Sequence, residues 1–267
     1  MNKLSKKITI VTVTLNNLSG LVRTFNSIQK QKSNEIEYII IDGISNDGTI
    51  EFLKSKNDLI DNWVSEKDSG IYDAMNKGAK LSSGEYLLFL NSGDELCDNA
   101  IETFLYQIDA EYADIYYGQI YLDRGDSDKK YRKHEILFPK HSKLYDEMSI
   151  FHPSTLISKL FFNKMGMYDV KLRLASDYKF FLKSYFNNAI FSYIKMPLVL
   201  FEHGGFSSMN PYLSLKENIK IKFEILPLYL SIPKIIILLI KYYGSNLLSK
   251  IGLFILGKSF YNKLLGR

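Results

Sequence analysis

The segment Ile8-Thr9-Ile10-Val11-Thr12-Val13-Thr14-Leu15 is short and almost wholly β-branched, and it constrains the fold more than any other stretch. β-Branched side chains are stiff about χ1 and pack well on a pleated surface, so the segment is expected to be a buried strand. Helical spacing follows at once, with Leu18, Leu21, Val22, Phe25 and Ile28 on one face of residues 18–31. The alternation then repeats. Tyr38 to Ile41 is a second apolar run, Thr49 to Ser55 fits a short helix and Trp63-Val64 a brief strand. Residues 71–81 place Ile71, Ala74, Met75, Gly78 and Ala79 on one helical face, and Tyr86 to Leu90 is a further apolar run. Strands alternating with helices in this way predict an α/β domain with a largely parallel sheet.

Beyond residue 110 the pattern is less regular. Residues 110–150 are rich in Tyr and charge, with a loop expected at Asp123-Arg124-Gly125-Asp126. Ser154 to Ile157 reads as a strand, Asp177 to Phe186 as a helix and Ile190 to Phe201 as a strand. A composition shift near residue 211 divides an α/β region, 1–210, from a tail, 211–267. With 46% hydrophobic and 24% charged residues the chain has globular proportions, which excludes wholesale disorder. The single cysteine, Cys97, excludes an internal disulfide framework and any CxxC site. His134, His141 and His152 lack ligand-like spacing, which argues against zinc.

In open α/β sheets, ligands bind beyond the carboxyl ends of the strands. Four apolar runs end in polar residues: Asn16-Asn17, Asp42-Gly43, Asn91-Ser92-Gly93-Asp94 and Ser65-Glu66-Lys67-Asp68. Any one ending is an ordinary loop, because Asp, Asn and Gly are common in turns. Acids at three of the four, on one rim, point to a site. Neither GxGxxG nor GxxxxGK[ST] is present, so a phosphate cradle of backbone amides is not expected. Carboxylates would repel a diphosphate unless a divalent cation lay between them, so a nucleotide ligand here implies Mg²⁺ or Mn²⁺.

These segments carry a resemblance. Ile8 to Asn16, Asp42-Gly43-Ile44-Ser45-Asn46-Asp47-Gly48-Thr49, Ser65 through Gly78, and Gly84 through Asp94 resemble the first strand, the DDGSxDGT turn, the segment before the third helix and the DxD strand of family 2 glycosyltransferases with the GT-A fold. The third is the most specific and is similar to the branch with colanic-acid-type exopolysaccharide transferases. Phe151-His152-Pro153-Ser154-Thr155 and Ala175-Ser176-Asp177-Tyr178 match more weakly, and the resemblance spans about 7–210. It implies a donor site of Asn16, Asp42, Asp68, Asn91 and Gly93, with Asp42 at the base and Asp68 lining the nucleoside pocket. Asp94 would hold the metal, although Asn91 and Gly93 stand where the family usually has acids. Asp177 would be the catalytic base on the resemblance; on its own the residue reads more readily as a helix N-cap. His203, in His203-Gly204-Gly205, is a candidate near the leaving diphosphate, or a structural histidine. Tyr72, Asp73, Asn76 and Lys77 share the polar side of the 71–81 helix, from which Asp73 and Asn76 could reach the donor sugar; the alternative is a solvated face.

Charge separates tail from body. Residues 225–267 hold six bases and no acid, which leaves 34 − 6 = 28 bases against 29 acids, or −1, for residues 1–224. The basic pI near 8.9 therefore belongs to the tail and does not indicate nucleic acid. Residues 235–240 form an apolar run far short of the ~20 residues a membrane span needs. Leu247, Leu248, Ile251, Phe254 and Ile255, with Lys250 and Lys258 among them, have the pattern of a helix in a membrane interface; helices packed on the catalytic domain or a second subunit are the alternative. Residues 1–7 lack a signal-peptide h-region, so a peripheral place on the cytosolic membrane face is expected. Taken with the resemblance, these features imply an inverting, non-processive glycosyltransferase. It would move a sugar from a UDP- or GDP-linked donor to a polyprenyl-linked saccharide in surface polysaccharide synthesis. A nucleotidyltransferase and a non-catalytic membrane-bound scaffold are the alternative classes, and a homo-oligomer is compatible with either.

Overall fold

A computed structural model of the chain describes residues 6–123, 135–202, 210–240 and 242. The chain divides into two compact units, Met1–Met209 and Asn210–Arg267.

The first unit is built on one sheet. β1 (Ile8–Thr14) is buried at every position, as its β-branched run requires. It is flanked by β2 (Ile36–Asp42) and β4 (Tyr86–Phe89), both parallel to it, and β3 (Asn62–Ser65) lies parallel outside β2. The crossovers between them are α1 (Leu18–Gln29), α2 (Thr49–Ser55) and α3 (Ile71–Leu81), each within two residues of its expected span.

The second half of the sheet departs from the parallel expectation. The strand order is β3-β2-β1-β4-β8-β6-β9-β5, with β7 (Glu135–Leu137) on β6. β8 (Thr155–Ser158) runs antiparallel to both β4 and β6, and only the β6–β9 pair returns to parallel. The sheet is mixed because β8 enters from the same rim at which β4 leaves. The region read as irregular holds β5 (Glu95–Leu96), α4 (Ala100–Ala110) and β6 (Ile115–Asp123). β6 escapes a search for apolar runs because Tyr116, Tyr117, Gly118 and Gln119 interrupt its aliphatic residues. β9 (Phe191–Glu202) pairs along all of β6, with the register slipping near Gln119 and Pro197. Proline lacks the N–H that a regular ladder needs and is confined to such irregular places.

One core joins Ile10, Tyr38 and Leu88 on the sheet to Leu21 and Phe25 of α1 and Phe104 of α4. The opposite face carries α3, α5 (Lys159–Lys164) and α6 (Ser176–Phe186), with Phe89, Phe162, Tyr168 and Phe180 in mutual ring contact. This aromatic cluster fixes the start of α6 near the rim where β4 ends.

In the second unit α7 (Pro211–Ile225) is followed by a helical stretch at 228–240. Among the described residues no helix is long and apolar enough to cross a membrane. The interfacial helix expected at 247–258 lies outside the described residues, as does the Arg124–Asp126 part of the expected loop.

Candidate active site

The ends of β1 and β2 are tied together by short polar side chains. Asn16 adopts a left-handed conformation at φ 50°. Its backbone N–H donates to Ser45 Oγ at 2.7 Å, and its side-chain oxygen accepts from Asn46 N at 2.9 Å. Asp42 is fully buried, and its Oδ2 accepts from Ile44 N, Ser45 N and Ser65 Oγ, the last at 2.6 Å. Those bonds hold Ile44 at φ 67°, a costly conformation for a β-branched residue, while 59% of its surface is exposed. Asp42 Oδ1 is buried without a hydrogen-bond partner. Asp68 stands over the same turn, so close that a Cβ at Gly43 would come within 2.8 Å of its Oδ2. Asn16, Asp42 and Asp68 are thus brought to one cleft at the β1–β2 rim.

The turn after β4 forms the second wall. Thr24 of α1 organises it: its hydroxyl donates to the carbonyls of Asn91 and Asp94 and accepts from Gly93 N. Gly93 sits at φ 111°, a backbone conformation that L side chains rarely adopt, and a Cβ there would press on Glu202 Oε2. Asp94 is 4% exposed. Its Oδ1 accepts from Glu202 N at 3.4 Å. Burial raises its pKa to about 7, with Glu202 adding to the rise and the His152 ring and backbone N–H groups opposing it.

Asp177 lies across from this turn. Ala175, not Asp177, occupies the N-cap of α6, and the aspartate is the second helical residue. Its Oδ1 accepts from Tyr72 Oη at 2.8 Å, and its Oδ2 faces His152 Nδ1 at 3.3 Å. His152 Nε2 lies 3.1 Å from Asn91 Nδ2. An amide nitrogen can only donate, so Nε2 accepts and Nδ1 carries the hydrogen directed at Asp177. His152 therefore links the β4 turn to Asp177. Burial and the Asp177 charge raise the Tyr72 hydroxyl far above its ordinary pKa, which keeps it a donor to that carboxylate. Asp177 retains 15% side-chain exposure, so a ligand can reach it.

On α3 the structure departs from one of the two expectations. Asn76 does not face a donor sugar. It is 7% exposed, and its amide is used up on the backbone of Tyr168, donating to the carbonyl at 2.8 Å and accepting from the N–H at 3.1 Å. Asp73 accepts from Ser69 N at 2.9 Å and lies 3.6 Å from Lys77 Nζ, so its visible partners are those of a helix start. The helix splits by i, i+4 spacing: Tyr72 and Asn76 turn inward, Asp73 and Lys77 outward. His203 lies outside the described residues.

Sequence reasoning missed His152, Tyr72 and Thr24 as parts of the site. The Phe151–Thr155 match signals the first, whereas histidine spacing alone does not. Tyr72 is marked only as one of the polar residues of its helix and Thr24 not at all, since both act through tertiary contacts 105 and about 70 residues away.

The family model described as glycosyl transferase family 2 matches residues 9–173. The chain belongs to this family. An uncharacterized glycosyltransferase of Mycobacterium tuberculosis is 29% identical over 187 residues, 66% of this chain and 68% of that protein. A PGL/p-HBAD biosynthesis glycosyltransferase of Mycobacterium bovis is 25% identical over 216 residues, 79% of this chain and 82% of that one. The poly(ribitol-phosphate) β-N-acetylglucosaminyltransferase TarP of Staphylococcus aureus is 38% identical over 102 residues, which is 36% of this chain and 31% of TarP. Among solved structures, S. aureus TarS 1–349 in complex with UDP-GlcNAc aligns with TM-score 0.67 at 17% identity, over 82% of this chain and 65% of TarS 1–349. A mannosyltransferase of Pyrobaculum calidifontis in complex with GDP-Man and Mn²⁺ aligns with TM-score 0.64 at 14% identity, over 97% of this chain and 82% of that one. These likenesses establish the GT-A fold, and family 2 membership leaves the nucleotidyltransferase reading without support.

For a family 2 glycosyltransferase the metal motif here is thin. Among the described residues no group of three His, Cys, Asp or Glu is placed to hold a metal ion. The donor atoms present still fit a hard cation: the buried Asp94 carboxylate has few partners, and Asn91 Oδ1 is buried with none. Mg²⁺ and Mn²⁺ suit oxygen ligands, and Mg²⁺ commonly takes one or two carboxylates together with substrate phosphates and water.

Proposed function

We propose that this family 2 glycosyltransferase transfers a sugar from a UDP- or GDP-linked donor to a saccharide acceptor carried on a membrane lipid, with inversion at the anomeric carbon. The observation that carries the reading is Asp177, held by Tyr72 and His152 opposite the buried Asp94. The bound UDP-GlcNAc of TarS and GDP-Man of the mannosyltransferase support the donor class. Asp42 Oδ1, unpaired at the β2 end, is the acceptor left for an N–H of the base, and Asp68 lies beside it. Asp94 and Asn91 would hold Mg²⁺ or Mn²⁺, which supplies positive charge to a departing diphosphate when bound. Asp177 takes the proton of the acceptor hydroxyl. That oxygen bonds to the anomeric carbon from the face opposite the diphosphate, the bond to the diphosphate breaks, and its electron pair leaves with the nucleotide. A single displacement of this kind inverts configuration. His152 and Tyr72 are positioning residues that fix the direction of the Asp177 lone pairs.

The acceptor reading draws on the tail. Leu228, Ile232, Ile236 and Ile240 recur every four residues in the 228–240 helix and are all about half exposed or more. An exposed apolar stripe in an acid-free, basic segment supports a peripheral place on an anionic membrane.

Asp177→Asn is expected to lower kcat by about 10³-fold or more while the donor Kd stays within about twofold, as loss of a general base requires. His152→Ala should lower kcat less and likewise spare donor binding. Product NMR should show the anomeric configuration opposite to that of the donor. An active Asp177→Asn enzyme, or a retained configuration, would refute the mechanism.

A further inference from the structure

On the face of the sheet that carries α6, the strands β6 and β9 support a cavity of about 500 Å³ that the reaction scheme does not use. Its volume is in the range of small-molecule sites, about 300–1,000 Å³. Its walls are flat rings. Tyr117 and Tyr193, paired across β6 and β9, stack with centroids 5.2 Å apart and planes 27° apart. His141 stacks on Phe191 at 5.1 Å and 5°. The Tyr117 hydroxyl joins the two stacks through His141 Nδ1 at 2.7 Å, and Gln119 Nε2 donates to Tyr193 Oη at 2.8 Å. Neither stack is free to turn. Phe138 lines the same cavity and is 64% exposed, so its ring is open to a ligand. Lys140, also lining it, has no ion pair or side-chain hydrogen bond among the described residues.

The cavity lies close to the chemistry. Tyr117 pairs with Thr155, which is three residues from His152, at most about 11 Å of extended chain. Its other edge touches α6, where the Tyr185 ring is 6.2 Å from His141. Asp177 and Tyr185 are eight residues apart on that helix, about 12 Å. A ring in the cavity is therefore too far from Asp177 to be attacked, yet near enough to be joined to the sugar that is.

We infer that the cavity bounded by Tyr117, Tyr193, His141 and Phe138 is an acceptor subsite, an aromatic platform that stacks a pyranose ring of the acceptor glycan one or more units from the attacked hydroxyl. The inference rests on the transferase reading above. A pyranose presents an apolar C–H face to an aromatic ring and hydroxyls at its rim. Rigid rings with convergent Tyr, His and Lys polar groups answer both features. A lipid tail would leave the polar rim unused, and the nucleotide already has its place at the β1–β2 rim in the reading above.

The test is saturation-transfer NMR on the full chain with methyl glycosides of glucose, galactose, mannose and N-acetylglucosamine, with cyclohexanol as an apolar control and UDP and GDP titrated in parallel. At least one glycoside is expected to bind in preference to cyclohexanol, with affinity falling fivefold or more in Phe138→Ala and in Tyr193→Ala, while nucleotide affinity is unchanged. Phe138 is exposed, so its variant folds even where Tyr193→Ala does not. Equal binding by cyclohexanol, no glycoside binding, or undiminished binding in Phe138→Ala would overturn the platform. Glycoside binding without any nucleotide binding would instead overturn the transferase reading and the acceptor role with it.

Discussion

Asp94 is a carboxylate that the fold places where a carboxylate is poorly tolerated. Burial lifts its pKa to about 7, so at neutral pH it is divided between its two forms. The sign of the effect follows. Between the unfolded aspartate pKa, about 4, and the folded value the native state binds the extra proton, so this group withdraws stability as pH rises through that window. A cation on the ionised form offsets the loss. In the presence of UDP or GDP, Mn²⁺ is therefore expected to raise Tm more at pH 8 than at pH 5.5, and not at all in Asp94→Ala. An equal shift at both pH values, measured by scanning fluorimetry, would contradict the assignment. The residue scale also shows where reading the sequence stops short. The expectations for Asp42, Asp68 and Asp94 start from the strand ends, where α/β chemistry collects, and that for Asp177 from the family resemblance. Asn76 was misread because its helix face says only that it is polar, not that the Tyr168 backbone lies opposite. His152 is passed over for the converse reason, since its partners Asn91 and Asp177 are distant in sequence and adjacent only through β4, β8 and α6.

At the scale of elements, α3 and the DGT turn act as brackets for the site. Asp47 accepts from Leu18 N at 2.8 Å and from the Thr49 hydroxyl at 2.6 Å, tying the start of α1 to the start of α2. Asn76 does the same for α3 and the chain leading to α6. Asn76→Ala leaves a buried N–H and carbonyl of Tyr168 unpaired. It should cost on the order of 2–4 kcal/mol in chemical denaturation and move donor affinity little. A stable variant with lost donor binding would restore Asn76 to the donor site. The elements that periodicity locates best, β1, α1, α2 and α3, have a continuous apolar run or a clean helical face. β6 does not, because Ile115-Tyr116-Tyr117-Gly118-Gln119 mixes aromatic, small and polar residues along a strand buried on both faces. The mixed second half of the sheet is hidden for a related reason, since strand direction depends on which rim a connection leaves, and no local pattern encodes that.

At the scale of the whole molecule, the net positive charge is confined to the end of the chain. Residues 1–224 are near neutral and carry the site, while 225–267 are basic and acid-free. Each Lys or Arg close to an anionic surface contributes about 1 kcal/mol of attraction, so six together suffice for reversible binding without a spanning helix. Removing residues 225–267 is expected to move the protein off vesicles containing anionic lipid in a flotation assay, and 1 M salt should weaken binding of the full chain. Flotation unchanged by the truncation would sink the tail's proposed role. The central claim is narrower and is tested directly by nucleoside diphosphate release. The purified chain, Mn²⁺ and a membrane lipid extract would be incubated with each of a panel of UDP- and GDP-sugars. Release from one donor, lost in Asp94→Ala and in Asp177→Asn, is the result this account predicts. Release that persists in both variants would remove these residues from the chemistry, and binding of every donor without release would mark the chain as a scaffold that keeps the fold alone.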